Sequence, residues 1–558
     1  MSVFLRGGGK TVYKIGWSEC MIGNIRSFFE RQFMHSGIYL GIAMAIMLGR
    51  AAYMDRPGIV IDDAFISFRY AANLADGKGL VFNLGERVEG YTNFLWTVLL
   101  AVCNFVGLDM VMASKILAAL AAIGTLIILY LLGRKIFALE QRPMFLALMP
   151  VFLFATMASQ ARYILSGMET LLFGFWLVLA IYLLLYTPHS LFAGIVFGLL
   201  TMTRPEGLMY FILSLGYGLI TRQLPANSKH SWVRTTLELT VGFSILYIPY
   251  FLWRYSYYGY LLPNTFYAKV SDLSWERFAR GLNFLQQLIT WWQVQLLLSL
   301  VLFGLLLQRK QPVWWFMAGM TGMTCLYFVL IGGDFIVWFG PRFLMPVLPL
   351  LLLLGVEGGY QLTKVRFFPK WSSIPVQIAL FSVMVLSAWY GWPARYTSLD
   401  LFAAQMSGWE ELGRWLAKHT PPTTSIASDA AGLIPYYSQR YTIDMFGLTD
   451  LHIAHLEESD MGTGVVAHEK IDPRYILDRQ PDCIVSTWMD ERGQAVSAGL
   501  DSVQDQFNAS YQLIAVTKVR YGPPEDGRWV IVTSTYTQEL YRQGYVSGLF
   551  CRHSLLLQ

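Results

Sequence analysis

A few residues after its first hydrophobic span (36–54), the chain reads Asp62-Asp63-Ala64-Phe65-Ile66-Ser67-Phe68-Arg69. This stretch predicts a helix that begins at a pair of carboxylates just outside a membrane and ends near Gly77-Lys78-Gly79. Two adjacent acids beside lipid cost desolvation free energy unless another group pairs with them or uses them, so the pair is a candidate functional site. The apolar face of the helix is expected to lie on the membrane surface. The residues of that face are Phe65, Phe68, Ala72 and Leu74.

Low charge and high hydrophobicity indicate a membrane protein. Of the 558 residues, 55% are hydrophobic and 14% are charged, whereas soluble domains carry about 25% charged residues. The net charge of +5 sits mostly in short loops, so it indicates orientation in a membrane and no nucleic-acid partner. The shift to ordinary polarity late in the chain predicts a cytoplasmic tail (1–34), a transmembrane domain (35–392) and a soluble domain (393–558).

Runs of about 20 apolar residues, the length that crosses a bilayer, predict about eleven transmembrane helices. These spans are 36–54, 112–133, 144–161, 168–187, 189–203, 206–221, 235–256, 286–307, 312–331, 343–362 and 374–391. A further apolar stretch, 91–107, is predicted to lie on the membrane surface, because only then do all the basic clusters between spans fall on one side. That arrangement puts the N-terminus in the cytoplasm and puts residues 55–111 and the soluble domain outside.

Charged and polar residues gather at the predicted external ends of these spans. The candidates for substrate and phosphate binding are Arg162, Glu169, Arg204, Glu206, Asn264, Lys269 and Arg342. Long basic side chains at span ends often only reach for lipid headgroups, but several of them on one face of the membrane favour an anion-binding site. Arg69 in the first external loop is expected to pair with a carboxylate or to contact the same anion.

Carboxylates beside cations at a membrane surface favour a glycosyltransferase. The sequence has no dinucleotide fingerprint and no phosphate loop, so an external active site would take its sugar from a membrane lipid phosphate. Such transfer needs a carboxylate that activates the acceptor hydroxyl and cations that hold the leaving phosphate. One of Asp62 and Asp63 is expected to cap the helix and the other to act as the base, and the sequence does not separate them. No cofactor is required, and no ligand cluster demands a metal, although a divalent ion near the pair is an option.

The soluble domain is predicted to be an α/β module, from a helical pattern at 409–419 and strand patterns at 425–427, 482–486 and 529–533. Cys483 and Cys551 are candidates for a disulfide in an oxidising compartment, and their spacing fits no metal motif. Its aromatic residues either stack on sugar rings or belong to the core. They are Tyr436, Tyr437, Tyr441 and Phe446.

Several motifs together carry a resemblance to a known family. The motifs are 62–70, 81–92, Ser166-Gly167-Met168-Glu169-Thr170, Arg204-Pro205-Glu206-Gly207, Leu262-Pro263-Asn264-Thr265, Lys269, Arg342, Ser428-Asp429-Ala430-Ala431-Gly432 and 444–450. In these stretches the chain resembles the AftB-like terminal arabinofuranosyltransferases of mycobacteria and the ZomB-like proteins. The likeness spans most of the chain, and its first motif is the most specific.

The resemblance implies a polytopic α-helical protein of GT-C type in the bacterial plasma (inner) membrane that acts in cell-envelope biogenesis. It further implies transfer of D-arabinofuranose from a polyprenyl-phosphate donor to a saccharide acceptor, with Asp62 or Asp63 in the catalytic position. Donor sugar and acceptor stay open, and a pilin-type protein acceptor is an alternative within the same fold.

Two other classes of protein compete with the enzyme. A lipid flippase or transporter usually carries polar residues near the midplane of paired spans, whereas here the charged motifs crowd one end. A purely structural membrane protein would leave the aspartate pair and the cationic motifs unexplained.

Overall fold

The computed structural model describes residues 36–221, 232–270, 274–289, 292–307, 311–334, 341–364, 382, 396–457, 461–520 and 523–553. The predicted cytoplasmic tail (1–34) lies outside the described residues. So do the predicted last span (374–391), apart from position 382, and most of the basic clusters used to orient the chain.

Apolar helices build the first part of the chain. In order they are α1 (Ser36–Met54), α2 (Asp62–Ala75), α3 (Phe94–Phe105), α4 (Met110–Leu139), α5 (Met149–Thr156), α6 (Ala158–Leu165), α7 (Thr170–Tyr186), α8 (Ser190–Thr203), α9 (Gly207–Thr221), α10 (Trp232–Tyr258), α11 (Asn264–Lys269), α12 (Trp275–Ile289), α13 (Trp292–Leu307), α14 (Pro312–Leu330) and α15 (Leu348–Leu362). Short 3₁₀ turns precede α5 (Met144–Ala147) and α15 (Met345–Val347). Within the described residues, five helices are long and apolar enough to cross a membrane, or seven if each of two bent pairs forms one span. The chain is therefore a multi-pass membrane protein.

Each of the first ten predicted spans coincides with a helix or a helix pair, and the total of eleven stays a prediction. The predicted span 144–161 is broken, because Met157 has extended backbone angles (φ −70°, ψ 127°) and α5 and α6 meet at a bend of 55°. The predicted span 286–307 begins only at Trp292, since residues up to Ile289 belong to the separate helix α12.

The first external loop contains α2 and α3. Helix α3 has 12 residues, a length of about 18 Å that is too short to cross a bilayer. Its end exposes large apolar side chains, with Phe105 at 78% and Val106 at 66%. These features suit the predicted position of 91–107 on the membrane surface.

Helix α2 differs from its prediction. Phe65 and Phe68 are 2% and 0% exposed, and the Phe65 ring lies 5.4 Å from the ring of Tyr436 and 5.6 Å from that of Tyr437. The expected membrane-facing surface is therefore wrong, because the soluble domain covers this face of the helix.

The soluble domain is an α/β module, as predicted, and its elements are α16 (Tyr396–His419), β1 (Ser425–Ser428), α17 (Leu433–Ser438), β2 (Tyr441–Asp444), α18 (Leu451–Ala454), α19 (Pro473–Asp478), β3 (Cys483–Ser486), a 3₁₀ segment (Ser497–Val503), α20 (Gln504–Ser510), β4 (Tyr511–Lys518), β5 (Val530–Val532), α21 (Gln538–Arg542) and β6 (Tyr545–Arg552). Its six-stranded sheet has the order β2-β1-β3-β6-β4-β5. Strand β1 pairs in parallel with β2 and β3, and the other pairings are antiparallel. Cys483 and Cys551 face each other in β3 and β6 and form a disulfide.

Candidate active site

The Asp62 side chain forms its hydrogen bonds with the soluble domain. Its two carboxylate oxygens accept hydrogen bonds from the backbone N–H groups of Gly432 (3.1 Å) and Leu433 (2.7 Å), so Asp62 caps the N-terminus of α17. Burial raises the pKa of Asp62 to about 7, although these two hydrogen bonds oppose the rise. The expectation that one aspartate caps α2 is wrong, because the residue before that helix is Ile61 and no side chain caps it.

The contact between Asp62 and α17 requires a glycine. A Cβ atom added to Gly432 would lie 1.9 Å from the backbone carbonyl oxygen of Asp62 and 2.9 Å from its side-chain Cγ. The nearest atoms belong to the backbone of Asp62, which cannot rotate away as a side chain could. A larger residue at position 432 would therefore push α17 away from α2.

Asp63 faces the membrane part of the protein. Its side chain is 36% exposed, and its Oδ2 lies 3.7 Å from Nη1 of Arg342. The other arm of that guanidinium, Nη2, lies 3.6 Å from Oδ1 of Asp334. These ion pairs are longer than hydrogen bonds, so among the residues that the structure describes no hydrogen bond occupies the Asp63 carboxylate or the Arg342 guanidinium.

Lys269 ends the short helix α11 close to the same group of charges. Burial lowers the pKa of its ammonium, the nearby Asp63 carboxylate opposes this, and Arg342 and Arg204 reinforce it. In the described part of the chain the Lys269 side chain donates no hydrogen bond. A half-buried lysine beside an arginine supplies two cationic groups of the kind that bind anions in proteins.

Arg204 is already neutralised by two carboxylates. Its Nη1 lies 2.5 Å from Oε1 of Glu169, and its Nη2 lies 2.9 Å from Oε1 of Glu206. The Glu169 and Glu206 side chains are 1% and 9% exposed. Two negative charges against one positive charge leave Arg204 less suited than Arg342 or Lys269 to attract a phosphate.

Three further residues support this cluster and are absent from the sequence prediction. Asn93 donates to Oε2 of Glu169 (2.8 Å), and the Tyr327 hydroxyl donates to Oε1 of Glu206 (3.1 Å). The Phe343 ring lies between two guanidinium groups, 4.9 Å from that of Arg204 and 5.2 Å from that of Arg342. Asn93 directly follows the motif 81–92, which was a usable signal. Tyr327 and Phe343 lie in apolar runs, and no local pattern distinguishes them.

Arg69 and Asn264 lie elsewhere and hold the soluble domain in place. The Arg69 guanidinium is 5% exposed and donates to the carbonyl oxygens of Phe82 (2.8 Å), Pro435 (2.8 Å) and Arg440 (2.7 Å). The expected role of Arg69 in anion binding is therefore wrong, because its donors are used within the protein.

Asn264 has the same kind of role at a second point. Its Nδ2 donates to the carbonyl oxygens of Gly447 (2.9 Å) and Leu448 (3.1 Å). This side chain ties α11, and with it Lys269, to the soluble domain. Arg162 lies buried in α6, with 1% of its surface exposed.

Comparison with known proteins supports this architecture. Residues 398–541 match a family model described as a domain of unknown function (DUF8728). The chain is 30% identical over 362 residues to a terminal beta-(1->2)-arabinofuranosyltransferase of Mycobacterium tuberculosis, an alignment that covers 56% of this chain and 54% of that protein. It is 28% identical over 249 residues to the protein of the same name from Corynebacterium glutamicum, covering 39% of this chain and 34% of that protein. The chain thus spans about half the length of the first of these relatives and a third of the second.

Two solved structures share the fold. One is ArnT from Cupriavidus metallidurans bound to undecaprenyl phosphate, with a TM-score of 0.50, 12% identity, and coverage of 81% of this chain and 93% of that chain. The other is the Archaeoglobus fulgidus oligosaccharyltransferase in complex with Zn and sulfate, with a TM-score of 0.50, 13% identity, and coverage of 90% and 76%. The similarity to these proteins shows that the chain has a GT-C fold, as the resemblance of its motifs implied.

Proposed function

We propose that this chain is a membrane glycosyltransferase that moves a sugar, D-arabinofuranose, from a polyprenyl-phosphate donor to a cell-envelope glycan on the external face of the membrane. The observation that carries the proposal is the open carboxylate of Asp63, 3.7 Å from Arg342 and close to Lys269. A base in this position can take the proton of the acceptor hydroxyl, and the two cations can stabilise the leaving phosphate.

The proposed reaction uses Asp63 as the base. The acceptor hydroxyl loses its proton to a carboxylate oxygen of Asp63 while its oxygen forms a bond to C1 of the donor sugar. The bond between C1 and the phosphate oxygen breaks, and the polyprenyl phosphate leaves with the electron pair. A positioned base of this kind contributes about 10²–10⁴-fold to the rate.

Arg342 and Lys269 are proposed to bind the donor phosphate. Both carry donors that the described residues leave available, and charge-assisted hydrogen bonds to phosphate are among the strongest in proteins. Arg204 pairs with Glu169 and Glu206 and would keep the Phe343 ring in position beside Arg342. A lipid-linked donor agrees with the undecaprenyl phosphate bound to ArnT.

The choice of arabinofuranose rests on the names of the two curated relatives. Because the chain covers only part of their length, the sugar and the acceptor belong to the proposal. A pilin-type protein acceptor would use the same base and the same phosphate site.

The proposed location of the soluble domain is outside the bacterial inner membrane, with the N-terminus in the cytoplasm. The Cys483–Cys551 disulfide supports this orientation, because structural disulfides form and persist in oxidising compartments. The same face would hold Asp63 and the acceptor glycan.

The test is a transfer assay with the purified full chain in lipid nanodiscs. The donor is radiolabelled polyprenyl-phosphate arabinofuranose, and the acceptors are a panel of envelope glycans and pilin peptides. We expect label in a glycan, and we expect Arg342→Gln to lower the rate by about 10²–10³-fold. The matched control is Arg234→Gln, which removes an exposed arginine at the beginning of α10.

Label in the pilin peptide instead would move the proposal to a protein acceptor. A chain that neither binds the lipid nor transfers sugar would contradict the proposal and favour the transporter or structural alternative.

A divalent ion near the aspartate pair is an option within the same proposal, and EDTA added to the assay tests it. A rate that falls with EDTA and recovers with a divalent ion would show that transfer needs a metal, and an unchanged rate would show that it does not.

A further inference from the structure

A cavity of about 490 Å³ lies on the other side of α2 from Asp63. We name it the seam cavity, because it is an open pocket lined by the beginning of the first external loop (55–65), by Asp109 and the first turns of α4, and by helices α16 and α17 of the soluble domain. Phe65 lines it, and residues two positions apart on a helix point to different faces, so Asp63 and this cavity lie on different sides of α2. Its volume is within the range of small-molecule sites, about 300–1,000 Å³.

The charged groups around the seam cavity are already paired. Asp55 lies 2.7 Å from Lys115, Arg56 lies 2.9 Å from Asp400, and Glu410 lies 2.8 Å from Arg414. Asp109, the fifth charged residue of the lining, caps α4 by accepting from the N–H of Met112 (2.9 Å). Three acids (Asp55, Asp109, Glu410) and two bases (Arg56, Lys115) line the cavity, which disfavours an anionic ligand.

The remaining lining suits a polyhydroxyl ligand with apolar faces. Each paired carboxylate keeps further lone pairs that accept hydrogen bonds from hydroxyl groups. The half-buried ring of Tyr437 lies 4.2 Å from the Arg414 guanidinium, which fixes its orientation. Aromatic rings bind the C–H faces of sugars by the same packing that joins them to other apolar groups.

We propose that the seam cavity binds a neutral oligosaccharide, namely the part of the acceptor glycan that lies away from the reacting hydroxyl. This inference rests on the proposed function, because it deepens the description of the acceptor. Leu433 connects the two sites, since it lines the cavity and its N–H donates to Asp62, the neighbour of Asp63. A glycan held here would be anchored on the other side of α2 from the base and would not contact it.

Binding to the full chain in nanodiscs tests the seam cavity, with a neutral linear tetra-arabinofuranoside as probe. We expect Tyr437→Ala to weaken its binding by about fivefold to tenfold, the equivalent of one lost ring contact. Tyr437→Phe, which keeps the ring, is expected to stay within about twofold. Trp488→Ala, which removes a 45% exposed aromatic ring elsewhere on the soluble domain, is the matched control and should bind as wild type does. Glu410→Gln, which keeps the side-chain size, provides a second cavity variant if Tyr437→Ala fails to fold.

Kinetics with two acceptor lengths add an independent readout. Tyr437→Ala and Glu410→Gln are both expected to raise KM for the tetrasaccharide acceptor by a larger factor than KM for a disaccharide acceptor. Equal tetrasaccharide binding by wild type and both variants would overturn the inference. So would displacement of the tetrasaccharide by glycerol phosphate, because the cavity would then be a lipid-headgroup site.

The proposed function and the seam cavity can fail separately. Binding of undecaprenyl phosphate and transfer to the disaccharide are measured in the same preparation. If both persist while no tetrasaccharide binds, the seam cavity is wrong and the proposed function stands. If no sugar is transferred but tetrasaccharide binding still depends on Tyr437, the seam cavity stands and the proposed function is wrong.

Discussion

Asp62 and Asp63 are neighbours in the chain and have different tasks in the molecule. Asp62 uses both carboxylate oxygens to cap α17, whereas Asp63 is partly exposed beside Arg342. The separation of roles follows from helix geometry, because consecutive residues at the start of α2 point in directions about 100° apart. In the described part of the chain, Asp63 is thereby the residue of the pair whose carboxylate accepts no hydrogen bond, which is why we propose it as the base.

The aspartate pair was predictable from the sequence as a candidate site. Which of the two aspartates caps α17 and which stays exposed was not predictable. Two acids at the start of a helix beside a membrane span are a local pattern. The partner of Asp62, Leu433, lies 371 positions further along the chain, and no local pattern connects them. The role of Arg69 was not predictable for the same reason, because its partners Pro435 and Arg440 lie far along the chain in the soluble domain.

Lys269 makes the affinity for the donor phosphate dependent on pH. A lysine is charged below its pKa, and burial lowers this pKa from its ordinary value, so the charge is lost at a lower pH than in water. We expect the affinity of the free protein for undecaprenyl phosphate to fall as the pH rises towards about 10. In Lys269→Arg this fall should disappear, because arginine stays charged throughout that range.

The measurement is undecaprenyl phosphate binding between neutral and alkaline pH. Lys78→Arg makes the same change at an exposed lysine that pairs with Asp76 and serves as the control. An unchanged alkaline fall in Lys269→Arg would exclude Lys269 as the titrating cation.

At the scale of elements, α2 is held between the membrane helices and the soluble domain. Gly167 packs closely on Val60 and Ala64 on one side, and Gly432 packs on Asp62 on the other. Arg69 in the middle of α2 and Asn264 at the start of α11 are both tied to carbonyl groups of the soluble domain. The two short helices that carry Asp63 and Lys269 therefore depend on one docked domain.

Gly432→Ala tests this coupling. The added methyl group would meet the Asp62 carbonyl oxygen at 1.9 Å, so α17 has to move and Asp62 loses its two hydrogen bonds. We expect a loss of about 1–3 kcal/mol in stability, typical of overpacking, together with a transfer rate lowered by at least about tenfold.

Thermal unfolding and transfer rate are measured on the same preparation. Gly216→Ala is the control, because nothing lies within 4 Å of the added carbon in helix α9. A Gly432→Ala protein with wild-type melting temperature and wild-type rate would show that α2 does not depend on α17.

Elements were predicted well where a local pattern defines them. Long apolar runs predicted α4, α10 and α14, and the strand patterns at 425–427 and 482–486 predicted β1 and β3. The bend at Met157 was missed. The burial of Phe65 was missed because it depends on contacts with the distant residues Tyr436 and Tyr437. An apolar helix face predicts burial, and it does not say whether lipid or protein provides it.

At the scale of the whole molecule, a GT-C membrane part carries an α/β domain on one end. The composition and the spacing of spans predicted this division, since charge density changes along the chain. The packing of the two parts against each other was not predictable, because it rests on a few side chains such as Arg69 and Asn264.

The orientation of the molecule can be tested by labelling. With Trp488→Cys, which introduces a thiol at an exposed site of the soluble domain, we expect reaction with a membrane-impermeant maleimide in intact spheroplasts. Arg234→Cys, at an exposed site on the predicted cytoplasmic side, should react only after the membrane is opened. The opposite pattern would put the soluble domain in the cytoplasm.

The role of Asp63 is tested most directly by comparing Asp63→Asn and Asp62→Asn in single-turnover transfer at saturating donor, with melting temperatures measured in parallel. We predict that Asp63→Asn lowers the rate by about 10²–10⁴-fold and leaves the melting temperature unchanged. Asp62→Asn should lower the melting temperature, because an amide replaces one acceptor oxygen at the α17 cap, and should keep the rate of the folded fraction within about tenfold. A protein that loses transfer with Asp62→Asn and keeps it with Asp63→Asn would contradict the assignment of Asp63 as the base.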